Sequence, residues 1–182
     1  MIDKGYVKGI EVFNNDEFYP RALSWSKDKK LTVFGASDVH GSITDDFGVH
    51  GSGASRSSFR PMTLVFVKEK NPEAVKEALL NRLTLAYFDD NVAGDEKLLT
   101  SLFLASVKAG KISGNEKQSV YRFRNDSGIP YHFSIGSKKY DLDPNSDILI
   151  NLASDMKTVD LLVLNMHYYE GKHPLISISL EM

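Results

Sequence analysis

The chain has 182 residues, of which 42% are hydrophobic and 25% are charged, so it can bury the core of one large domain or two small ones. Its formal net charge is -2, and its lysines and arginines are dispersed, which argues against a stable nucleic-acid partner. The absence of cysteine excludes thiolate nucleophiles, cysteine-ligated zinc and disulfides.

The sequence gives no sign of membrane insertion or export. No apolar run approaches the roughly 18 to 20 residues that a membrane-spanning helix needs, so we expect no membrane partner. The first residues, MIDKGY, show no hydrophobic core of a signal peptide. The compartment stays unknown on this evidence, as does whether Met1 is the native start.

Strand-like and helix-like patterns alternate in the first part of the chain. Residues 8–13 (KGIEVF) predict a short buried strand. Residues 16–29 follow with Phe18, Ala22 and Trp25 at helical spacing, and Pro20 lies early, where a helix tolerates proline. Residues 31–35 (LTVFG) predict a second apolar strand.

A long polar segment from residue 41 to about residue 60 interrupts this alternation. It contains four glycines and five serines and has little material for a core. A segment of this kind in a compact domain is usually functional or disordered.

The alternation resumes after this segment. Residues 63–67 predict a strand, and Asn71-Pro72-Glu73 predicts a helix start, with a capping side chain, a first-turn proline and an acid near the positive end of the dipole. Residues 84–88 predict another strand and residues 95–102 a short helix. Strands and helices in this order predict a parallel sheet with crossover helices, although about four strands are too few to close a β/α barrel.

The pattern changes near residues 100–105, where we expect a domain boundary. Beyond it, strand signals recur with turn residues between them. The clearest alternation lies in residues 175–181, where Ile176, Ile178 and Leu180 share one face. About six short strands predict an all-β, Ig-like sandwich.

The motif Asp38-Val39-His40 follows the predicted strand at residues 31–35. Residues i and i+2 of an extended chain project to the same side, so a carboxylate and an imidazole at this spacing can bind one divalent ion. Ends of strands are also where α/β proteins collect their ligands. The motif is short, and a histidine near an aspartate is more often a hydrogen-bonding surface residue.

Several segments together resemble the final part of a PHP (polymerase and histidinol phosphatase) phosphoesterase domain. They are GIEVFN at residues 9–14, the helix with its early Tyr19-Pro20, and the strand that runs into SDVHG at residues 37–41. In that family an (S/T)-D-x-H strand end supplies two ligands to a multinuclear metal centre. The segment RPMTLVF at residues 60–66 further resembles bacterial PHP proteins that carry a β-sandwich after the barrel.

The resemblance implies a fold and a domain division. The fold class is α/β, a partial β/α barrel of the PHP type, followed by an all-β Ig-like sandwich. Residues 1–103 would be the C-terminal portion of the barrel and residues 104–182 the sandwich. Relatives of this two-domain type would be exported.

The resemblance also implies a site. Asp38 and His40 would be ligands of a divalent metal, Zn or Mn, while Glu11 and Asn14 would hold those ligands in orientation. Alternatively, Glu11 and Asn14 are a polar pair with a purely structural role at the end of a strand. The reaction would be hydrolysis of a phosphate ester on a small molecule, in which bound ions polarise the phosphoryl oxygen and acidify a water.

The chain departs from the family in one important respect. The N-terminal His-x-His and the further histidines of earlier strands are missing, since His40 is the first histidine. A catalytic zinc site normally needs about three protein ligands, and the motif supplies two. One of Asp45, Asp46 and His50 could complete the site, and Arg56 and Arg60 could contact a phosphate.

Three hypotheses therefore stay open. The chain is the C-terminal portion of a metal-dependent phosphoesterase, incomplete as a catalyst on its own. Alternatively, it is a non-catalytic interaction module built on a PHP remnant and a β-sandwich, with exposed strand edges that favour homo-oligomers. In the third, the Asp-x-His motif is incidental to an ordinary α/β layer.

Overall fold

A computed structural model describes residues 1–41 and 60–180 of the chain, and these residues are mostly β. They divide into two compact units. The first unit comprises Met1–Leu99 and Met166–Lys172, and the second unit comprises Thr100–Asn165 and His173–Met182. None of the described helices has the length and apolar character needed to cross a bilayer.

The described elements follow one another along the chain without a long helical stretch. In order they are β1 (Gly9–Asn14), β2 (Glu17–Phe18), α1 (Pro20–Asp28), β3 (Thr32–Ala36), β4 (Met62–Val65), α2 (Pro72–Leu80), β5 (Thr84–Phe88), β6 (Asn91–Gly94), α3 (Glu96–Ser106), β7 (Val107–Gly114), β8 (Gln118–Asn125), β9 (Tyr131–Ile135), β10 (Lys138–Leu142), β11 (Asp147–Ala153), β12 (Thr158–Val163), β13 (Met166–His167) and β14 (Leu175–Ser179).

The first unit begins with one strand-helix-strand crossover. Strands β1 and β3 pair in parallel, and α1 connects them. Helix α1 starts at Pro20 and buries Leu23 completely, whereas the helical pattern was predicted from residue 16 and Glu17–Phe18 form strand β2 instead. Leu23 packs in a core with Val12, Phe13 and Val33, whose burial holds the crossover together.

The expected partial β/α barrel is wrong. Strands β4 and β5 pair antiparallel, with Val65 opposite Thr84, although α2 lies between them in the sequence. The backbone N–H of Phe66 donates to the carbonyl of Leu83 at 3.0 Å, so the chain leaves and re-enters the sheet at the same end. Helix α2 is therefore an excursion from a β-hairpin and makes no parallel crossover. The α/β fold class fails for this reason.

A second hairpin adds a strand that the sequence analysis missed. Strands β5 and β6 pair antiparallel, and Asp89 and Asp90 connect them with φ angles of 46° and 63°. Two left-handed residues form the tight turn that matches the twist of a hairpin. Strand β13 then pairs in parallel with β6, which completes the sheet order β13-β6-β5-β4.

The start of α2 is as predicted. The Asn71 side chain accepts a hydrogen bond from the backbone N–H of Ala74 at 2.8 Å, Pro72 occupies the first turn, and Glu73 lies near the positive end of the dipole. Such a cap satisfies one of the four N–H groups that a helix start leaves without a partner.

The second unit is a β-sandwich. One sheet has the order β10-β9-β12-β14 and the other β11-β8-β7, which makes seven strands in the described residues where the sequence suggested about six. Phe123 of β8 and Phe133 of β9 meet between the sheets, with ring centroids 6.3 Å apart. Phe103 contacts Tyr131 and Phe133 edge-on, which adds aromatic packing to this core.

A buried amide fixes a turn of the second unit. The Asn125 side chain is fully buried and donates to the carbonyls of Ile129 and Asp143 at 2.8 and 3.0 Å. Its oxygen accepts from the backbone N–H and the hydroxyl of Ser127, at 3.0 and 2.8 Å. The amide thereby satisfies polar groups that burial would otherwise leave without partners.

We therefore expect Asn125→Ala to lower the free energy of unfolding by about 2–4 kcal/mol, because it leaves several buried groups without partners at about 1–3 kcal/mol each. Urea denaturation measures the change. Asn151→Ala is the matched control, since Asn151 is exposed on β11, and it should change stability by less than about 0.5 kcal/mol. Equal losses in both variants would contradict the role of Asn125.

Tyr131 is buried in the same unit, and its hydroxyl forms no hydrogen bond with any described residue. Burial raises the pKa of Tyr131 above the usual 10.0 of tyrosine, while the nearby hydroxyls of Ser106 and Ser127 oppose this shift. In the unfolded chain the phenol ionises near its usual pKa. Stability is therefore fully present below about pH 10 and is lost as the pH rises through the raised pKa of the folded state.

Tyr131→Phe should remove this contribution to the alkaline loss of stability. Near neutral pH the variant should be as stable as the wild type or more stable by about 1 kcal/mol, because the buried hydroxyl has no partner to lose. Denaturation of both proteins from pH 8 to 11 checks this. If the difference in stability between the wild type and Tyr131→Phe stays constant across this range, the ionisation of Tyr131 does not cause the alkaline loss of stability.

Candidate functional site

The Asp38-Val39-His40 motif lies just beyond the end of β3, in the first unit. Nε2 of His40 lies 3.4 Å from Oδ1 of Asp38, and the two side chains are 88% and 56% exposed, respectively. Asp38 has a left-handed backbone with φ of 51°, so the chain is not extended here as the spacing argument assumed. The two side chains nevertheless face each other.

The distance between His40 Nε2 and Asp38 Oδ1 can be compared with the geometry of a hydrogen bond and of a metal site. It exceeds the 2.7 to 3.2 Å of a normal N–H···O hydrogen bond. Two ligands that each bind one tetrahedral ion at about 2.0 to 2.2 Å lie roughly 3.4 Å apart. The pair therefore matches one edge of such a site.

The number of ligands does not match. Within residues 1–41 and 60–180, no group of three or more His, Cys, Asp and Glu side chains could hold a metal ion. Asp45, Asp46 and His50, as well as Arg56, lie outside the described residues. The described residues thus supply two donors of suitable chemistry and geometry, one fewer than a catalytic zinc site requires.

An open groove runs beside the motif. Asp38 lines it together with Gly35, Arg60 and Thr63, which brings the end of β3 next to the start of β4. Arg60 is exposed, and its guanidinium is the only cationic group that lines this groove in the described part of the chain. A guanidinium is suited to bind phosphate oxygens in two parallel hydrogen bonds.

Gly35 and Thr63 hold the two walls of the groove together. The Thr63 hydroxyl bonds both the carbonyl and the backbone N–H of Gly35, each at 3.1 Å. A Cβ atom at Gly35 would lie only 2.5 Å from the carbonyl oxygen of Met62. Glycine is therefore required for this close approach, which the sequence analysis did not anticipate.

Glu11 and Asn14 contact each other. The Asn14 amide donates to the Glu11 carboxylate at 2.7 Å. Asn14 lies opposite Ala36 in the β1–β3 pairing, two positions before Asp38, while Glu11 lies opposite Phe34. This bond fits a structural polar pair at the end of a strand. The role of Glu11 and Asn14 in orienting metal ligands stays a prediction.

Tyr19 is influenced by several carboxylates, of which Asp38 is one. The Tyr19 hydroxyl donates to the Glu17 carboxylate, and this bond is the main cause that raises the pKa of Tyr19. Smaller contributions come from burial and from the charges of Asp16 and Asp38. The charges of Asp16, Glu17 and Asp38 thus act together on the phenol of Tyr19.

Comparison with known proteins gives one similar solved structure. Neither a protein-family model nor a curated protein sequence matches the chain. The chain is similar to the crystal structure of "a two-domain protein containing predicted PHP-like metal-dependent phosphoesterase" from Bacteroides vulgatus ATCC 8482, with 29% identity and a TM-score of 0.87. The match covers 98% of this chain and 54% of that protein, so this chain spans about half of its length.

This similarity supports the resemblance inferred from the motifs. It extends over 98% of this chain. The neighbour's name states metal dependence without naming the metal.

The contact between Gly35 and Met62 predicts the effect of a single methyl group. Gly35→Ala should push β4 away from β3, break the bonds of Thr63 and lower the free energy of unfolding by about 1–3 kcal/mol. Gly110→Ala is the matched control, because nothing lies within 4 Å of the added Cβ in β7. Thermal denaturation of both variants measures the difference. A Gly35→Ala variant as stable as the wild type would refute the tight contact.

Proposed function

We propose that this chain is the C-terminal portion of a PHP-type, metal-dependent phosphoesterase, which acts on phosphate esters of small molecules, and that it is incomplete as a catalyst on its own. In this proposal Asp38 and His40 are two ligands of the metal centre. The observation that carries it is the 3.4 Å approach of a carboxylate oxygen and an imidazole nitrogen beyond the end of β3.

Two further observations support this function. The similar two-domain structure bears a PHP-like phosphoesterase name, and it is about twice as long as this chain. The groove beside Asp38 offers the Arg60 guanidinium, which would hold the phosphate of a substrate in two parallel hydrogen bonds. Glu11 and Asn14 would steady the end of β1, next to the strand that carries the ligands.

Incompleteness follows from the ligand count. Two protein ligands leave a divalent ion held weakly, and the described residues offer no third one. The remaining ligands would come from elsewhere in a larger protein or from Asp45, Asp46 or His50. Zn and Mn both suit a carboxylate with an imidazole.

The alternative is a non-catalytic interaction module. It is favoured by the absence of a complete ligand group in the described part of the chain. Edge strands of its sheets would then pair with a partner or with a second copy.

Metal titration decides between the two. We expect the purified chain to bind one Zn²⁺ or Mn²⁺ ion in a calorimetric titration, and Asp38→Ala to weaken this binding by more than about tenfold, since even groups behind the ligands are worth 10- to 100-fold. The chain should hydrolyse a generic phosphodiester no faster than the Asp38→Ala variant, because the centre is incomplete.

The chain contains a matched control for this test. His132 and Asp141 form a second histidine–aspartate pair, with Nδ1 and Oδ1 2.6 Å apart, on neighbouring strands of the second unit. Asp141→Ala should leave metal binding unchanged. Equal binding by wild type and Asp38→Ala would contradict the proposal, and no binding together with self-association in sedimentation would favour the interaction module.

A further inference from the structure

The first unit contains a cavity that the proposed function does not use. It has a volume of about 350 Å³, near the lower end of the roughly 300 to 1,000 Å³ that small-molecule sites occupy. The cavity lies at the beginning of β3, where Leu31 and Val33 line it, while Asp38 lies beyond the other end. Val33 and Ala36, the last residue of β3, lie three strand positions or roughly 10 Å apart, and Asp38 lies beyond Ala36.

Two helix ends with the same backbone geometry shape this cavity. After α2, the N–H groups of Arg82 and Leu83 donate to the carbonyls of Leu79 and Ala78, and Arg82 is left-handed with φ of 60°. After α1, Lys30 and Leu31 repeat this pattern, and Lys30 has φ of 56°. Both ends are Schellman motifs, in which the left-handed position favours glycine.

The two helix ends differ in where the basic residue lies. Arg82 lines the cavity, whereas Lys30 does not. Leu31 and Leu83, which follow the left-handed residues, both line it and give it an apolar wall. A left-handed basic residue thus needs no ligand to explain it, and Lys30 provides an internal reference for Arg82.

The charge of the lining is mostly positive. Lys27, Arg82 and Lys97 line the cavity together with one carboxylate, Asp95. Arg82 and Lys97 form no ion pair with another residue in the described ranges. Lys27 lies 4.5 Å from the centre of the Tyr168 ring and only 3.9 Å from the Glu96 carboxylate.

Lys97 and Asp95 are the two charged residues at the start of α3 that line the cavity. Lys97 lies in the first turn of α3, where a cation opposes the helix dipole, so helix stability does not account for it. The Asp95 carboxylate accepts from the backbone N–H groups of Lys97 and Leu98, at 2.9 and 3.3 Å. It therefore caps the helix, and the helix end is already satisfied without a ligand.

Two neutral hydroxyls that line the cavity already have hydrogen-bond partners. The Ser26 hydroxyl donates to the Leu23 carbonyl at 2.7 Å, and the Thr84 hydroxyl donates to the Val33 carbonyl at 2.8 Å. Recognition of a charged group is left to the cationic side chains. An apolar wall with cations at its rim fits an organic anion better than an inorganic ion.

We propose that this cavity binds a small organic phosphate, with its apolar body against Leu31 and Leu83 and its phosphate between Arg82 and Lys97. A phosphomonoester carries about -1.5 to -2 charge at pH 7, which balances the net positive lining better than a single carboxylate does. The site goes beyond the proposed function, because it lies at the opposite end of β3 from Asp38.

The test uses phenylphosphonate, which phosphoesterases do not hydrolyse, as the probe. Titration of the whole chain, followed by the amide NMR signals of Gly94 and Leu98 in the cavity wall, should show saturable binding. Benzoate, phenol and inorganic phosphate should each bind at least about tenfold more weakly, since each lacks either the second charge or the apolar contact. Benzoate that binds as tightly as phenylphosphonate would overturn the assignment to phosphate.

Arg82→Gly and Lys30→Gly form the matched pair of variants. Each removes one positive charge and relaxes one left-handed position, so both should fold and melt at or above the wild-type temperature. Arg82→Gly should weaken phenylphosphonate binding at least about tenfold, the effect of losing one charge-assisted hydrogen bond, while Lys30→Gly changes it by less than about twofold. Equal weakening by both would show diffuse attraction and overturn the site.

Lys97→Glu and Asp38→Ala complete the test. Lys97→Glu improves the charge at the start of α3 and should nevertheless abolish binding. Asp38→Ala should bind phenylphosphonate as the wild type does. Loss of binding in Asp38→Ala would place the anion at the metal-binding pair and overturn the cavity, whatever the outcome of the metal titration.

Discussion

The first unit depends on the contacts that strand β3 makes on its two sides. On one side β3 pairs with β1 in a parallel ladder, whose register shifts between Glu11 and Phe13. On the other side threonine hydroxyls make the connection: Thr84 donates to Val33, and Thr63 bonds both backbone groups of Gly35. The bonds of Thr63 need glycine at position 35, because a Cβ there would lie only 2.5 Å from the Met62 carbonyl oxygen. The Asp38–His40 pair and the cavity lined by Val33 lie at the two ends of this one strand.

Local features of the fold could be predicted from the sequence, whereas its topology could not. The cap of α2 at Asn71 is written in consecutive residues, so the sequence predicted it correctly. A helix between two strands predicts a parallel crossover, but the pairing of Val65 with Thr84 makes the strands antiparallel. This register depends on contacts across the sheet that no single segment encodes. Strand β6 was missed because Asp89-Asp90 lacks the glycine that usually marks such a turn.

The candidate site shows the same division between local and distant information. The spacing of Asp38 and His40 predicted that their side chains face each other, although the extended backbone behind that argument is replaced by a left-handed residue. The Gly35–Thr63 contact had no signal, since the two residues are 28 positions apart. The cationic residues of the cavity are separated further along the chain. Only the folded structure brings them together.

The two ends of β3 also differ in charge, which bears on how they could act together. Asp16, Glu17 and Asp38 act together on Tyr19, and cationic side chains line the cavity near Val33. Under the two proposals, a metal cation and an organic anion would bind at separate places on one strand, so neither would compete for the other's ligands. Val33 and the end of β3 alone lie roughly 10 Å apart, more than the Debye length of about 8 Å at physiological salt, so direct attraction between the two places is largely screened. Any influence of one on the other must pass through the position of β3 itself, which the threonine contacts hold.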